Sequence, residues 1–272
     1  MQVKDILRKN YLAVSTNDVL SGVFGKLGRG KHTEAVIMDD KGRFVGMLDK
    51  RALIRSRIEA EQTKVQRFVA KTATLTEDMP LEKAAHLMHS SDFHVLPVLD
   101  KNKKVIGIAG ARDVLDELQD SLKNYTASEI GTMKLIKLND SEPVAKAVTL
   151  FHRTGIDHIP LVDDAGKLSG IVSFVDLVAK FHVGSAKGAM TGRNRKHGRT
   201  SRSGQDAGDK PSYGALPLQN IMTRLVVTAS PGAKASSIIR LLKANEISDI
   251  VLVEDNVPVG IITSKDLLRE VA

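Results

Sequence analysis

GIITSKDLL, from Gly260 to Leu268, runs from the end of an apolar strand through a tight turn into a helix. Ile261 and Ile262 follow the glycine, Thr263 stands at the turn, Asp266 comes three positions later, and Leu267 and Leu268 open an apolar helix face. The same phrase occurs as GIVSFVDLV, with Gly170, Ser173 and Asp176. A worn version is GIAGARDVL, with Gly107, Gly110 and Asp113, and a more worn one is GMLDKRALI, with Gly46, Asp49 and Ala52. Four copies in one register are an internal repeat, and a repeat outranks every other sequence signal.

The residues around each copy follow one plan. In the first, Val19, Leu20, Val23, Phe24 and Leu27 form a one-sided helical stripe, followed by a buried strand at Ala35–Met38 and a return strand at Phe44–Met47. The second has a strand ending at Leu75, a helix opened by Asp78 and Pro80, and a hairpin from Val95–Leu99 to Val105–Ala109. The third has a strand at Leu135–Leu138, a helix carrying Val144, Ala147, Val148 and Phe151, and a hairpin from Ile159–Val162 to Leu168–Val172. The fourth has a strand at Leu225–Val227, a helix carrying Ile238, Ile239, Leu241 and Leu242, and strands at Ile250–Val253 and Val257–Ile262 that pair across Asp255 and Asn256. The signature glycines stand 61, 63 and 90 positions apart. The long last interval holds an insert.

The pattern G-h-h-T/S-x-x-D (h apolar) resembles the signature of the CBS domain, named for cystathionine β-synthase. The resemblance covers nearly the whole chain, like a stand-alone four-CBS protein, an architecture similar to the nucleotide-sensing γ subunit of AMP-activated protein kinase. It implies an α/β (α+β) fold of four β-α-β-β-α repeats paired into two Bateman modules, with adenine nucleotides (AMP, ADP or ATP) in the clefts. The expected boundaries are 1–60, 61–122, 123–182 and 217–272, with the insert at 183–216.

Composition narrows the function class. At 272 residues with 42% hydrophobic residues the chain can build two sizeable cores. The absence of cysteine excludes disulfides, thiolate metal sites and cysteine nucleophiles. MQVKDILRKN has no signal-peptide core and no apolar run reaches membrane-span length, so a cytoplasmic protein without membrane contact is expected. His86, His89 and His94 cluster, but no cysteine or suitably spaced carboxylate completes a tetrahedral metal set. No GxSxG, P-loop or HExxH motif occurs, and a non-enzymatic protein is expected.

The net charge of +8 is local. The insert carries Lys187, Arg193, Arg195, Lys196, Arg199, Arg202 and Lys210 against only Asp206 and Asp209, among Gly and Ser with few large apolar residues. Such a stretch cannot bury enough surface to offset its ordering entropy, so it reads either as a linker or as a basic arm that orders on phosphate. The second reading makes RNA or the ribosome a partner, bound through Lys187, Arg193, Arg195, Lys196, Arg199 and Arg202. A homodimer, or a protein partner of which this chain is the regulatory subunit, is a further expectation.

S/T-x-x-D at a helix start is also a capping box, in which hydroxyl and carboxylate each take the other residue's amide. By resemblance, Asp176 and Asp266, with Ser173 and Thr263, are the ribose-binding pairs. Asp113 keeps the carboxylate but has Gly110 in place of the hydroxyl. The first repeat has Asp49 at the hydroxyl position and Ala52 at the carboxylate position, so no nucleotide is expected there. The base is expected among Ile136, Ile159 and Pro160 in the third repeat and Val227 and Ile250 in the fourth. His158 stands where the family often places a phosphate-contacting basic residue.

Overall fold

The computed structural model describes residues 1–29, 34–48, 62–91, 93–173, 177 and 213–272. In the first repeat these give β1 (Leu12–Ser15), α1 (Leu20–Arg29), β2 (Ala35–Met38) and β3 (Phe44–Leu48). The second contributes β4 (Val69–Ala70), α2 (Leu81–Ser90), β5 (Val95–Leu99), β6 (Val105–Gly110) and α3 (Ala111–Leu118). The third contributes α4 (Ala127–Ile130), β7 (Leu138–Asn139), α5 (Val144–Thr154), β8 (His158–Val162) and β9 (Leu168–Ser173). The fourth contributes β10 (Thr228–Ala229), α6 (Ala235–Ala244), β11 (Asp249–Glu254), β12 (Val257–Thr263) and α7 (Ser264–Val271).

The repeats share one small sheet plan. A short first strand runs parallel to the middle strand, β1 on β2, β7 on β8 and β10 on β11, and the middle strand pairs antiparallel with the return strand. In the second repeat the first strand shrinks to one parallel bridge, Leu75 to Val98. All four hairpins shift register at the same place, after Ile37, Val98, Leu161 and Leu252.

Three of the four hairpin tips are built alike. Asp39 accepts the amides of Lys41 (2.9 Å) and Arg43 (2.8 Å), Asp100 those of Asn102 (2.8 Å) and Lys104 (2.9 Å), and Asp163 those of Ala165 and Lys167 (both 2.9 Å). An Asp that bonds its own backbone two residues on is a turn-former by its own chemistry. Each of these turns reverses through one left-handed residue, Gly42, Lys103 or Gly166. The fourth tip is a two-residue turn with φ positive at both Asp255 and Asn256, the backbone twist that suits a tight hairpin.

The first strands of the third and fourth repeats lie further along the chain than the sequence implies. Leu138–Asn139 and Thr228–Ala229 form them, rather than Leu135–Leu138 and Leu225–Val227. The residues before them are engaged elsewhere, as described below.

By contact the chain divides into two compact units, 1–135 with 226–272, and 136–225. In the first unit the helices of the second and fourth repeats share one core. Leu81, Ala84, Ala85 and Met88 of α2 and Val114 and Leu115 of α3 are buried with Ile238, Ile239 and Leu242 of α6 and Leu267 and Leu268 of α7. Polar contacts rim this core. Lys243 pairs with Asp116, which raises the lysine pKa, and Arg269 Nη2 donates to the Ile130 carbonyl at 3.1 Å. In the second unit Val144, Ala147 and Phe151 of α5 are buried, as are Ile159 and Leu161 of β8. No helix among the described residues is long and apolar enough to cross a membrane.

Candidate functional site

Each repeat ends its return strand where a helix begins, and the signature lies on that junction. In the fourth repeat the junction is β12 to α7. Thr263 is extended (φ −116°, ψ 161°) and caps the helix. Its Oγ1 accepts the Asp266 amide at 3.1 Å, while Asp266 Oδ2 accepts the Thr263 amide at 2.9 Å and the Thr263 hydroxyl at 2.7 Å. The capping-box geometry is therefore realised. It occupies Oδ2 alone: among the described residues Oδ1 of Asp266 accepts nothing, and the side chain is half-buried.

The second-repeat junction, β6 to α3, is built differently. Gly110 caps α3 with no side-chain bond, because it has no hydroxyl to offer. The Asp113 carboxylate instead pairs with the guanidinium of Arg8, from the start of the chain. Arg112 lies beside them and donates to the Ile247 carbonyl at 3.5 Å. Burial, and next the nearby Arg8 charge, hold its pKa below the usual arginine value.

In the third repeat Ser173 closes β9 opposite His158, the first residue of β8. Its partner Asp176 lies outside the described residues, as do Asp49 and Ala52 of the first repeat and the six basic residues from Lys187 to Arg202. Ile159 and Ile250 are wholly buried and Pro160 is buried in β8, so these three are core. Ile136 is 36% exposed and Val227 half-buried, which leaves both partly open to a ligand. No group of three His, Asp or Glu suited to a metal occurs among the described residues.

The structure adds a feature that the sequence does not reveal. The segment leading into each repeat pairs with the signature strand of a different repeat. Arg8 exchanges two backbone hydrogen bonds with Ile108 (both 2.9 Å), and Val69 and Ala70 pair with Leu48 and Met47. Thr132 exchanges two with Ile261 (2.8 and 3.0 Å), and Thr223 two with Ile171 (both 2.9 Å). The first and second repeats are therefore cross-strapped, and Thr132 and Thr223 make the same kind of pairing, each within its own compact unit. Thr132, four residues before Ile136, is thus paired beside the fourth-repeat signature, and Thr223, four residues before Val227, beside the third.

The straps explain the signature glycines. A Cβ at Gly46 would lie 2.5 Å from the Ala70 carbonyl oxygen, and one at Gly107 2.7 Å from that of Arg8. At Gly170 and Gly260 it would lie 2.5 and 2.7 Å from the sulfurs of Met222 and Met133. In all four repeats the glycine makes room for the crossing chain.

A second missed residue is Glu34, which is buried and accepts the amides of His94 and Val95, both at 3.1 Å. The middle-strand residues paired with the signature glycines are Ile37, Val98, Leu161 and Leu252. Glu34 lies three positions before the first of these, as Val95, His158 and Asp249 do before the others. In the first two repeats this position therefore makes a strap of its own.

Comparison with known proteins agrees with this architecture. The model of the CBS domain matches four stretches, residues 3–59, 67–120, 127–182 and 218–272. The chain is 25% identical over 277 residues to the uncharacterized protein MJ1404 of Methanocaldococcus jannaschii, covering 99% of this chain but only 62% of that protein. It is 22% identical over 260 residues to an uncharacterized 33.4 kDa protein in the ribosomal RNA operon of Thermofilum pendens, covering 89% of this chain and 81% of the relative. The crystal structure of MJ1225 from M. jannaschii, described as a proposed archaeal homologue of γ-AMPK, superposes with a TM-score of 0.77 at 20% identity, covering 100% of both chains. With four matched stretches spanning most of its length, this chain belongs to the CBS-domain family.

Proposed function

We propose that the chain is a non-enzymatic regulatory protein that binds an adenine nucleotide, or a related adenosyl ligand, at the strand-to-helix junctions of its second half. The observation that carries this reading is Asp266. One carboxylate oxygen fastens the helix start and the other is left to accept a ribose hydroxyl. The start of α7 adds the positive end of its helix dipole, which favours an anionic group beside it. Ser173 and Asp176 form the corresponding pair in the third repeat, and family membership supports the same ligand class at both.

Calorimetry with AMP, ADP, ATP and S-adenosyl compounds tests the reading. A hydrogen bond to an ionised acceptor is worth about 1.5–3 kcal/mol, so Asp266→Ala weakens binding roughly ten- to hundredfold. Thr263→Ala removes the cap but keeps the carboxylate, and costs stability more than affinity. Equal affinities for the parent and both variants, with lowered melting temperatures, return the pair to a purely structural role.

A second function has its own support. Arg193, Arg195, Lys196, Arg199 and Arg202 fall within ten residues with no acid among them, and one relative is encoded in a ribosomal RNA operon. This supports docking of the insert on RNA or the ribosome, with nucleotide state acting on the CBS body. Five phosphate contacts on a single strand imply that log affinity falls with log salt at a slope of about −3.5. Replacing the five residues with Ser flattens that slope and leaves nucleotide affinity intact. An unchanged slope makes the insert a linker.

A further inference from the structure

Repeats are compared most directly at matched positions, and the straps provide the match. Arg8, Thr132 and Thr223 each exchange two backbone bonds with the residue that follows a signature glycine, Ile108, Ile261 and Ile171 respectively. At the two junctions of the second half this strap residue is a threonine. At the second-repeat junction it is an arginine, whose guanidinium reaches the signature carboxylate Asp113. The pair is held in place, with the Asp113 side chain 20% exposed and that of Arg8 40% exposed.

The neighbouring residue fits this arrangement. A Cβ at Gly110 would lie 3.0 Å from Arg8 Nη2 and 3.0 Å from Asp113 Oδ2. A serine or threonine there would press on both partners at once. A side chain at position 110 therefore crowds the Arg8 guanidinium on Asp113, and both partners have to shift to admit it. The fourth repeat shows the alternative, with a small strap residue at Thr132, a hydroxyl at Thr263, and a carboxylate turned back to its own helix. The glycine at 110 and the arginine about a hundred residues earlier thus fit together at this junction.

We infer that Arg8 is the specificity-determining residue of the second-repeat junction: its guanidinium is bound to Asp113 Oδ2 and neutralises the carboxylate that would otherwise serve a ribose hydroxyl, so the chain is its own ligand there. The junction keeps the local frame of a nucleoside site but is closed to adenosine ligands while Arg8 is in place. This inference rests on the reading of the signature carboxylates as ribose acceptors. It assigns Asp113 a different role from Asp266.

The experiment is the stoichiometry of AMP and ATP binding to the full chain by calorimetry, for the parent, Arg8→Thr, and Arg8→Thr with Asp113→Asn. Arg8→Thr installs the residue present at positions 132 and 223 and raises the stoichiometry by one site. Adding Asp113→Asn returns it to the parent value. Should Arg8→Thr fail to fold, Arg8→Ala, which also removes the guanidinium, is measured in its place, with the same expected gain. An unchanged stoichiometry in the folded variants overturns the inference. So does loss of a site from the parent on Asp113→Asn alone, because Asp113 would then already be in use. A parent that binds no nucleotide defeats the reading of Asp266 but not this one: a site gained by Arg8→Thr still supports it, and none gained overturns it.

Discussion

Replacing the signature glycines with alanine separates crowding by backbone from crowding by a flexible side chain. At Gly107 the new methyl would lie 2.6 Å from Leu7 Cδ1, 2.9 Å from Leu7 Cγ and 2.7 Å from the Arg8 carbonyl oxygen. Carbon atoms pack comfortably at about 3.5–4.0 Å, so the strap must retreat by roughly 1 Å. It cannot do so freely, because Arg8 and Ile108 are tied by two hydrogen bonds of 2.9 Å. Overpacking of this kind costs about 1–3 kcal/mol, partly offset by the 0.4–1 kcal/mol or so that alanine gains by restricting the unfolded chain. At Gly260 the nearest atom is Met133 Sδ at 2.7 Å, and the Thr132 carbonyl oxygen stands back at 3.1 Å. Met133 is 41% exposed and can swing into solvent. Gly107→Ala therefore destabilises by about 1–2 kcal/mol net and Gly260→Ala by less than about half of that. In thermal scans at one protein concentration this is a drop of several degrees against a degree or two, at roughly 2–4 °C per kcal/mol for chains of this size. Gly232→Ala is the control, since nothing lies within 4 Å of its Cβ and its φ is not positive. A Gly260→Ala loss equal to or above that of Gly107→Ala would refute the strap account.

The buried carboxylate and the helix cap give two more tests. Glu34→Ala leaves the His94 and Val95 amides without their shared acceptor and lowers stability by at least about 1.5–3 kcal/mol, measured by chemical denaturation; a neutral result would mean the two amides find water. Glu129 accepts the Thr126 amide and hydroxyl, both at 2.7 Å, and these bonds lower its pKa below 4.5. A carboxylate depressed in the folded state adds stability above its unfolded pKa and loses it as pH falls through the folded value. Glu129→Gln therefore costs stability at pH 7 but little at pH 3, and an equal cost at both pH values would exclude the charge as the source.

The repeat, the hairpins and the Thr263–Asp266 box were legible because each is written in local residue chemistry. Asp-led turns, apolar strands and a hydroxyl three positions before a carboxylate need no distant information. The straps were not legible. Leu135–Leu138 and Leu225–Val227 have the apolar, extended pattern of a strand, but such a pattern does not name its partner. The structure starts the first strands later and gives Thr132 and Thr223 to other repeats. Arg8 and Glu34 escaped for a related reason. A charged residue beside a strand reads as solvent-facing, and the contacts that make these two structural lie 105 and 60 residues away.

The crossing straps also change how the signature itself is weighed. Its glycine is required wherever a strap crosses, and it stands under a strap at Gly46, Gly107, Gly170 and Gly260 alike. Its presence is accounted for by the strap without a ligand. The hydroxyl and the carboxylate are under no such constraint, and they vary. Both are present at Ser173 with Asp176 and at Thr263 with Asp266, the carboxylate alone remains at Asp113, and Ala52 takes its place in the first repeat. The glycine is thus present in all four copies, while the polar pair is complete only in the second half of the chain. In the first half charged side chains serve cohesion, with Arg8 on Asp113 and Glu34 on the amides of β5 and the residue before it. The first two repeats are thus strapped by charge as well as by backbone.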